Sequence, residues 1–199
     1  MPWRTLLKTA VVVLFIALSS CDSDDGPCTT PRATNDPVVV FETSMGDFAV
    51  VLYRDDAPKT VDNFLRYVNE GFYDSLTIHR VIKNFIIQGG AYDENMVKKP
   101  AYDPIVNEAD NGRSNLRGTI GMARTVDPHS ATSQFFINHV DNPSLDYVSP
   151  DRYGYCVFGK VILGMDVVDE IAGVNTVSKS GHQNVPEVPI FLNKVYRGK

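Results

Sequence analysis

This chain lacks most of the signatures that announce a function outright. It has three cysteines in 199 residues, too few for the disulfide framework of a small secreted scaffold. It has no lysine/arginine run and a net charge of −5, so the basic footprint of a nucleic-acid binder is missing. The histidines at 79, 129, 139 and 182 fall at no metal-ligand spacing, and neither do the cysteines. No G-x-S-x-G occurs, so a nucleophile elbow has no support. The stretch from Gly154 to Lys160 approaches a phosphate-binding loop, but Val161 stands where Ser or Thr should follow. The glycines form no dinucleotide fingerprint. Neither a metal nor a cofactor is expected.

The N-terminus carries the first positive signal. Arg4 and Lys8 precede the uncharged run Ala10 to Leu18, and Ser19, Ser20 and Cys21 follow. This is a secretory signal layout, too short for a spanning helix. Leu18-Ser19-Ser20-Cys21 also resembles a bacterial lipobox, in which the cysteine is lipidated and becomes the new first residue. Ordinary cleavage beside a coincidental Cys21 is the plainer alternative. The resemblance implies an exported lipoprotein on the periplasmic face of a bacterial membrane, with Asp22 pointing to the inner membrane. Residues 22–37 are rich in Asp, Thr and Pro and nearly devoid of large apolar groups, the composition of a flexible tether. The expected layout is a signal peptide over 1–20, a lipidated cysteine and tether over 21–37, and one domain over 38–199. A Cys28–Cys156 bridge stays open in an oxidising compartment, although two unpaired thiols are preferred.

From Val38 the pattern turns to strands. VVVFET (38–43) and DFAVVLY (47–53) flank a short connection at 44–46. A helix follows, with Asp56 placed to cap it, Pro58 in its first turn, an apolar stripe at Val61, Phe64, Leu65 and Val68, and Gly71 as its stop. Further strands are expected at 76–82, 85–88, 119–123, 133–138, 155–162 and 189–196, and a short helix at 165–172. Many strands with two isolated helices predict a mainly β domain: a closed antiparallel β-barrel capped by two α-helices. Residues 91–117 form a long polar connection, the kind that is usually functional or wraps the surface. No coiled-coil or other assembly motif is present, so a monomer is expected.

One segment poses a physical problem. Residues 78–90 read IHRVIKNFIIQGG, with a guanidinium and an amide set in an apolar run. Buried polar groups are costly without partners. A second segment, GTIGMARTVDPHSATSQFFINHVDN (118–142), repeats the theme. Alternate strand residues share a face, so Gln134, Phe136 and Asn138 lie together, as do Ile86 and Gln88. If these faces meet, an apolar pocket rimmed by amides results, with Arg80 as its one charge.

These segments resemble cyclophilin, the prolyl cis–trans isomerase family, and in particular its secreted bacterial branch. The likeness runs from Val38 to Arg197 and includes NEADNG (107–112), GTIGMART (118–125), SATSQFFIN (130–138) and VFGKVILGMDVVD (157–169). It implies eight strands in the barrel. It also implies Arg80 as the catalytic arginine, hydrogen bonding to the prolyl nitrogen in the twisted transition state. Phe85, Ile86, Phe136 and Leu145 would be the proline pocket, with Met122 as nearby core. Gln88 and Gln134 would be the polar rim, and Ala123 and Arg124 the edge for the substrate backbone. Tyr155 stands where some members have His, and Ser144 where many have Trp, which removes an aromatic wall and weakens the case for binding cyclosporin-type macrocycles. The implied partners are unfolded or newly exported proline-containing polypeptides, and the membrane through the N-terminal lipid. A proline-binding module without turnover is the main rival, and an intact Arg80 argues against it.

Overall fold

The computed structural model describes residues 36–198. The expected signal segment, Cys21, Asp22 and Cys28 lie outside the described residues. The fold is mainly β, built around an eight-stranded antiparallel sheet. In chain order its first elements are β1 (Val38–Thr43), β2 (Gly46–Leu52), α1 (Pro58–Asn69), β3 (Ile78–Ile82) and β4 (Ile86–Gly89). Then come β5 (Thr119–Met122), β6 (Phe135–Asn138), β7 (Val157–Leu163), α2 (Met165–Ala172), β8 (Thr176–Lys179), β9 (His182–Pro186) and β10 (Leu192–Arg197). The spatial order is β10-β1-β2-β7-β5-β6-β4-β3, with β8 and β9 forming a separate hairpin.

The expected closed barrel is not what forms. The sheet is open, with β3 and β10 as its two edges. Near those edges the chain is joined by an isolated bridge between Thr77 and Phe191 and by a few backbone hydrogen bonds: Ile78 N–H to the Ile190 carbonyl at 2.9 Å, Leu192 N–H to the Leu76 carbonyl at 2.7 Å and Ser75 N–H to the Leu192 carbonyl at 2.8 Å. Both partners of that bridge lie just outside the strands proper, so no continuous ladder joins the two edges.

The inner face of the sheet is covered by α1. Its stripe of Val61, Phe64, Leu65 and Val68 is buried, as helical spacing requires of an amphipathic helix. Phe64 meets the rings of Phe158 at 5.1 Å, Tyr73 at 5.3 Å and Phe135 at 6.0 Å, the last edge-on. One cross-strand row shows how the sheet feeds this core. Val81, Ile87, Ile137 and Ile120 pair in succession across β3, β4, β6 and β5, and all four belong to the main apolar cluster.

Two local expectations shift. Asp56 does not cap α1. Ala57 takes the N-cap position, and the Asp56 carboxylate instead receives Arg113 Nε at 2.8 Å. The β8–β9 hairpin is absent from the sequence-based outline because β8 is exposed throughout and has no apolar alternation to betray it.

Candidate functional site

The row next to the core row faces outward. Arg80 pairs with Gln88, Gln88 with Phe136, and Phe136 with Gly121. Directly paired residues share a face, so one guanidinium, one amide and one aromatic ring lie side by side. The Arg80 Nη1 donates to Gln88 Oε1 at 3.1 Å, and Gln88 Nε2 donates to Gln134 Oε1 at 3.0 Å. This relay occupies both ends of the Gln88 amide and holds the guanidinium. Among the described residues no carboxylate pairs with Arg80, and its remaining N–H groups are unspent.

Arg80 owes its direction to a bulge. The pairing runs Ile78 with Gly89 and then Arg80 with Gln88, so His79 is an extra residue in β3. Without it, Arg80 would share the inward face of Ile78, because residues two apart in a regular strand point the same way. Bulges re-aim side chains in this manner. Ile78 and Val81 both reach the core while Arg80 turns out.

Phe136 is the floor of the outward patch, only 2% exposed. Its ring lies across Gly121, where an added Cβ would stand 2.5 Å from Phe136 Cζ. Only a glycine leaves that space. We expect Gly121→Ala to tilt the Phe136 ring, at an overpacking cost of about 1–3 kcal/mol. Urea unfolding of wild type and variant would check it.

Tyr155 walls the patch, edge-on to Phe136 at 5.7 Å. The Arg124 guanidinium sits 4.5 Å over the Tyr155 ring and donates to the carbonyls of Gly154, Tyr153 and Thr125. Its side chain therefore buttresses Tyr155, leaving backbone as the edge at this position. The Ala123 N–H donates to the Gln134 carbonyl at 2.9 Å. Leu145 ends a short turn, Pro143–Leu145, and its carbonyl accepts the Tyr155 N–H at 2.8 Å. Gly154 permits this approach, since a Cβ there would lie 2.3 Å from the Tyr147 nitrogen. Ile86 (4% exposed) pairs with Asn138, one row beyond Phe136 on the same face. Phe85 is half-buried in the β3–β4 turn. Met122 is core, paired with Phe135 on the opposite face. Ser144 is exposed.

Beneath the turn lies a buried amide network outside the sequence-based set. Asn142 Nδ2 donates to the Phe85 carbonyl at 3.0 Å and to Asn138 Oδ1 at 2.7 Å. Asn138 Nδ2 reaches Thr119 Oγ1 and Asn115 Oδ1. Asn115 donates from N–H and Nδ2 to Asp146, which also accepts from Ser114. Burial raises the Asp146 carboxyl, but these donors outweigh it and hold the group below its ordinary value. The network ties Phe85, Leu145 and Tyr155 to one frame. The rule that singled out Gln88, an amide beside an apolar run, points equally to Asn138 after Phe135-Phe136-Ile137.

His79 is 5% exposed, and its Nδ1 has no hydrogen-bond partner. Its ring packs against Tyr92 at 4.7 Å. Burial lowers its pKa from 6.5 to about 4. The folded state therefore holds it neutral while the unfolded chain takes up a proton first. Stability is complete above pH 6.5 and is lost as pH falls toward about 4, by about 3 kcal/mol. Urea unfolding at about pH 7 and about pH 4.5 would show this loss in wild type, and His79→Gln should remove most of it. Cys156 is a free, buried thiol raised to about 12 by burial, beside Thr60 Oγ1 at 3.5 Å.

Comparison with known proteins bears on this geometry. The profile of the family described as cyclophilin type peptidyl-prolyl cis-trans isomerase/CLD matches residues 38–195. Peptidyl-prolyl cis-trans isomerase B of Escherichia coli is 50% identical over 160 residues, covering 79% of this chain and 98% of that protein. A peptidyl-prolyl cis-trans isomerase of Acinetobacter baylyi is 49% identical over 164 residues, covering 82% of this chain and 87% of that protein. Among solved structures, a cyclophilin-type isomerase of Cryptosporidium parvum, crystallised in the presence of the dipeptide Ala-Pro, superposes with a TM-score of 0.71 at 26% identity. It covers 81% of this chain and 99% of its own.

Proposed function

The chain belongs to the cyclophilin-type peptidyl-prolyl cis-trans isomerases, and we propose that it turns X–Pro bonds by seating the proline over Phe136 while Arg80 donates to the prolyl nitrogen. The reaction crosses a barrier of about 18–20 kcal/mol that arises from the partial double bond. In the twisted state the prolyl nitrogen regains a lone pair, which neither planar isomer presents. A donor aimed there stabilises the transition state selectively, and only such differential binding accelerates the step. The single observation that carries the assignment is the outward row of Arg80, Gln88 and Phe136, with Nη1 held at 3.1 Å from the Gln88 oxygen. A rigid fork keeps further donors beyond the one Gln88 uses. Phe85, Ile86, Leu145 and Tyr155 complete the apolar wall. Gln88, Gln134 and the Ala123–Arg124 backbone steady the flanking peptide.

The substrates are unfolded or newly exported polypeptides, met on the periplasmic face of a bacterial membrane to which lipidated Cys21 tethers the domain. The support for this setting is the N-terminal sequence: a positive start, an apolar run, and Leu18-Ser19-Ser20-Cys21 with Asp22 next. Two experiments test the two halves. Wild type should accelerate interconversion in a short X–Pro peptide, and binding without acceleration would mark a proline-binding module instead. Cells fed a labelled fatty acid should label wild type but not Cys21→Ser, and equal labelling would sink the tether.

A further inference from the structure

We propose that His139 is a positioning residue for the proline pocket: as a neutral imidazole it clamps the turn that presents Phe85. The idea rests on the assignment of Phe85 to that pocket. The turn is short, with β3 ending at Ile82 and β4 starting at Ile86. Asn84 adopts a left-handed conformation, φ 59°, which Asn tolerates better than most side chains. Such a turn needs external bonds to hold one geometry. Three come from the segment after β6. The Asn84 N–H donates to His139 Nδ1 at 3.2 Å. The His139 N–H donates to the Phe85 carbonyl at 2.9 Å, and Asn142 Nδ2 reaches the same carbonyl. His139 thus grips the residue before Phe85 with its ring and Phe85 itself with its backbone.

The ring is held from its other side. Its side chain is 15% exposed, and Nε2 lies 3.2 Å from Asp169 Oδ1 on α2, an ion-pair distance without hydrogen-bond alignment. That oxygen is buried and has no other partner. Asp169 Oδ2 accepts Arg117 Nη2 at 2.7 Å, and Arg117 Nη1 donates to the His139 carbonyl at 2.6 Å. Arg117 also reaches Asp141 through its backbone N–H. The Arg117 hydrogen bond keeps the Asp169 carboxyl below its ordinary range, against burial.

Chemistry then sets the tautomer. A nitrogen that accepts a backbone N–H carries no proton, so the imidazole proton sits on Nε2, toward Asp169. Protonation would make Nδ1 a donor facing another donor, and the Asn84 bond would be lost. The charged groups held against the ring or its backbone are Asp169 from α2 and Arg117 from before β5. Neither can replace Nδ1 as an acceptor for the Asn84 N–H without moving the turn.

The test uses the full-length chain with His139→Leu, His139→Asn and Phe85→Ala. It reads kcat and KM on an X–Pro peptide, and hydrogen exchange at the Asn84 amide. Removing one neutral hydrogen bond should raise KM about fivefold in His139→Leu, with kcat within about twofold and faster Asn84 exchange. Asn keeps an acceptor where Nδ1 stood, so His139→Asn should recover most of the KM. Wild-type KM in His139→Leu, or no recovery with Asn, would overturn the proposal. Unchanged Asn84 exchange with a raised KM in Phe85→Ala would sink the clamp and leave the pocket. Unchanged KM in Phe85→Ala would sink the pocket assignment, and the proposed role of His139 with it.

Discussion

Arg80→Ala should lower kcat/KM for X–Pro isomerisation by about 10- to 100-fold, because a hydrogen bond to a charged group contributes about 1.5–3 kcal/mol net. The loss should fall on kcat, since the bond forms only as the peptide twists. Stability should hardly move. Arg80 is half-exposed, and its one described hydrogen bond goes to Gln88. Arg80→Lys is the sharper control. An ammonium keeps the charge but loses the fork that lets one edge rest on Gln88 while another faces substrate, so it should recover little turnover. Full activity in Arg80→Ala would remove the proposed mechanism, while family membership would stand. Residual acceleration in the alanine variant would then measure what the pocket alone contributes.

The second large effect separates two neighbours. Phe135→Ala should destabilise the domain by about 3–5 kcal/mol, a large share of the 5–15 kcal/mol typical of a folded domain. Phe135 is fully buried and touches the rings of Phe41, Phe64 and Tyr73. Phe136→Ala should cost less stability, because its ring lies on the other face, over Gly121 and beside Tyr155. It should raise KM about tenfold or more through lost apolar contact with the proline ring. Urea unfolding and peptide kinetics on both variants, measured below the unfolding range of each, would decide. If Phe135→Ala carried the KM defect instead, the assignment of faces would be reversed.

Much of this was legible from particular residues. Helical spacing at Val61, Phe64, Leu65 and Val68 identified the buried stripe of α1, because a 3.6-residue period maps directly onto a face. Gln134 and Phe136 were placed together by period-two alternation, and the register bears this out through Gln88. Other features were hidden. Asp56 looked like a cap, but Arg113, 57 residues away, takes its carboxylate. A helix cap is a local preference of about 1 kcal/mol, which a nearby cation can outweigh. Asn138 was placed on the face of Gln134 and Phe136, but its links to Asn115 and Asn142 were hidden, because these partners come from separate segments.

Sequence alone determined the family and the strand and helix inventory apart from one polar hairpin. These depend on local period and on motifs read in order. It did not determine how far the sheet closes or which way Arg80 points. Alternation by itself sends Arg80 inward with Ile78. The bulge at His79 reverses it, and a bulge exists only relative to a partner strand. The arginine in the apolar run is thus explained by β4: pairing with Gly89 and then Gln88 turns the guanidinium to the outer face, where an amide holds it beside Phe136.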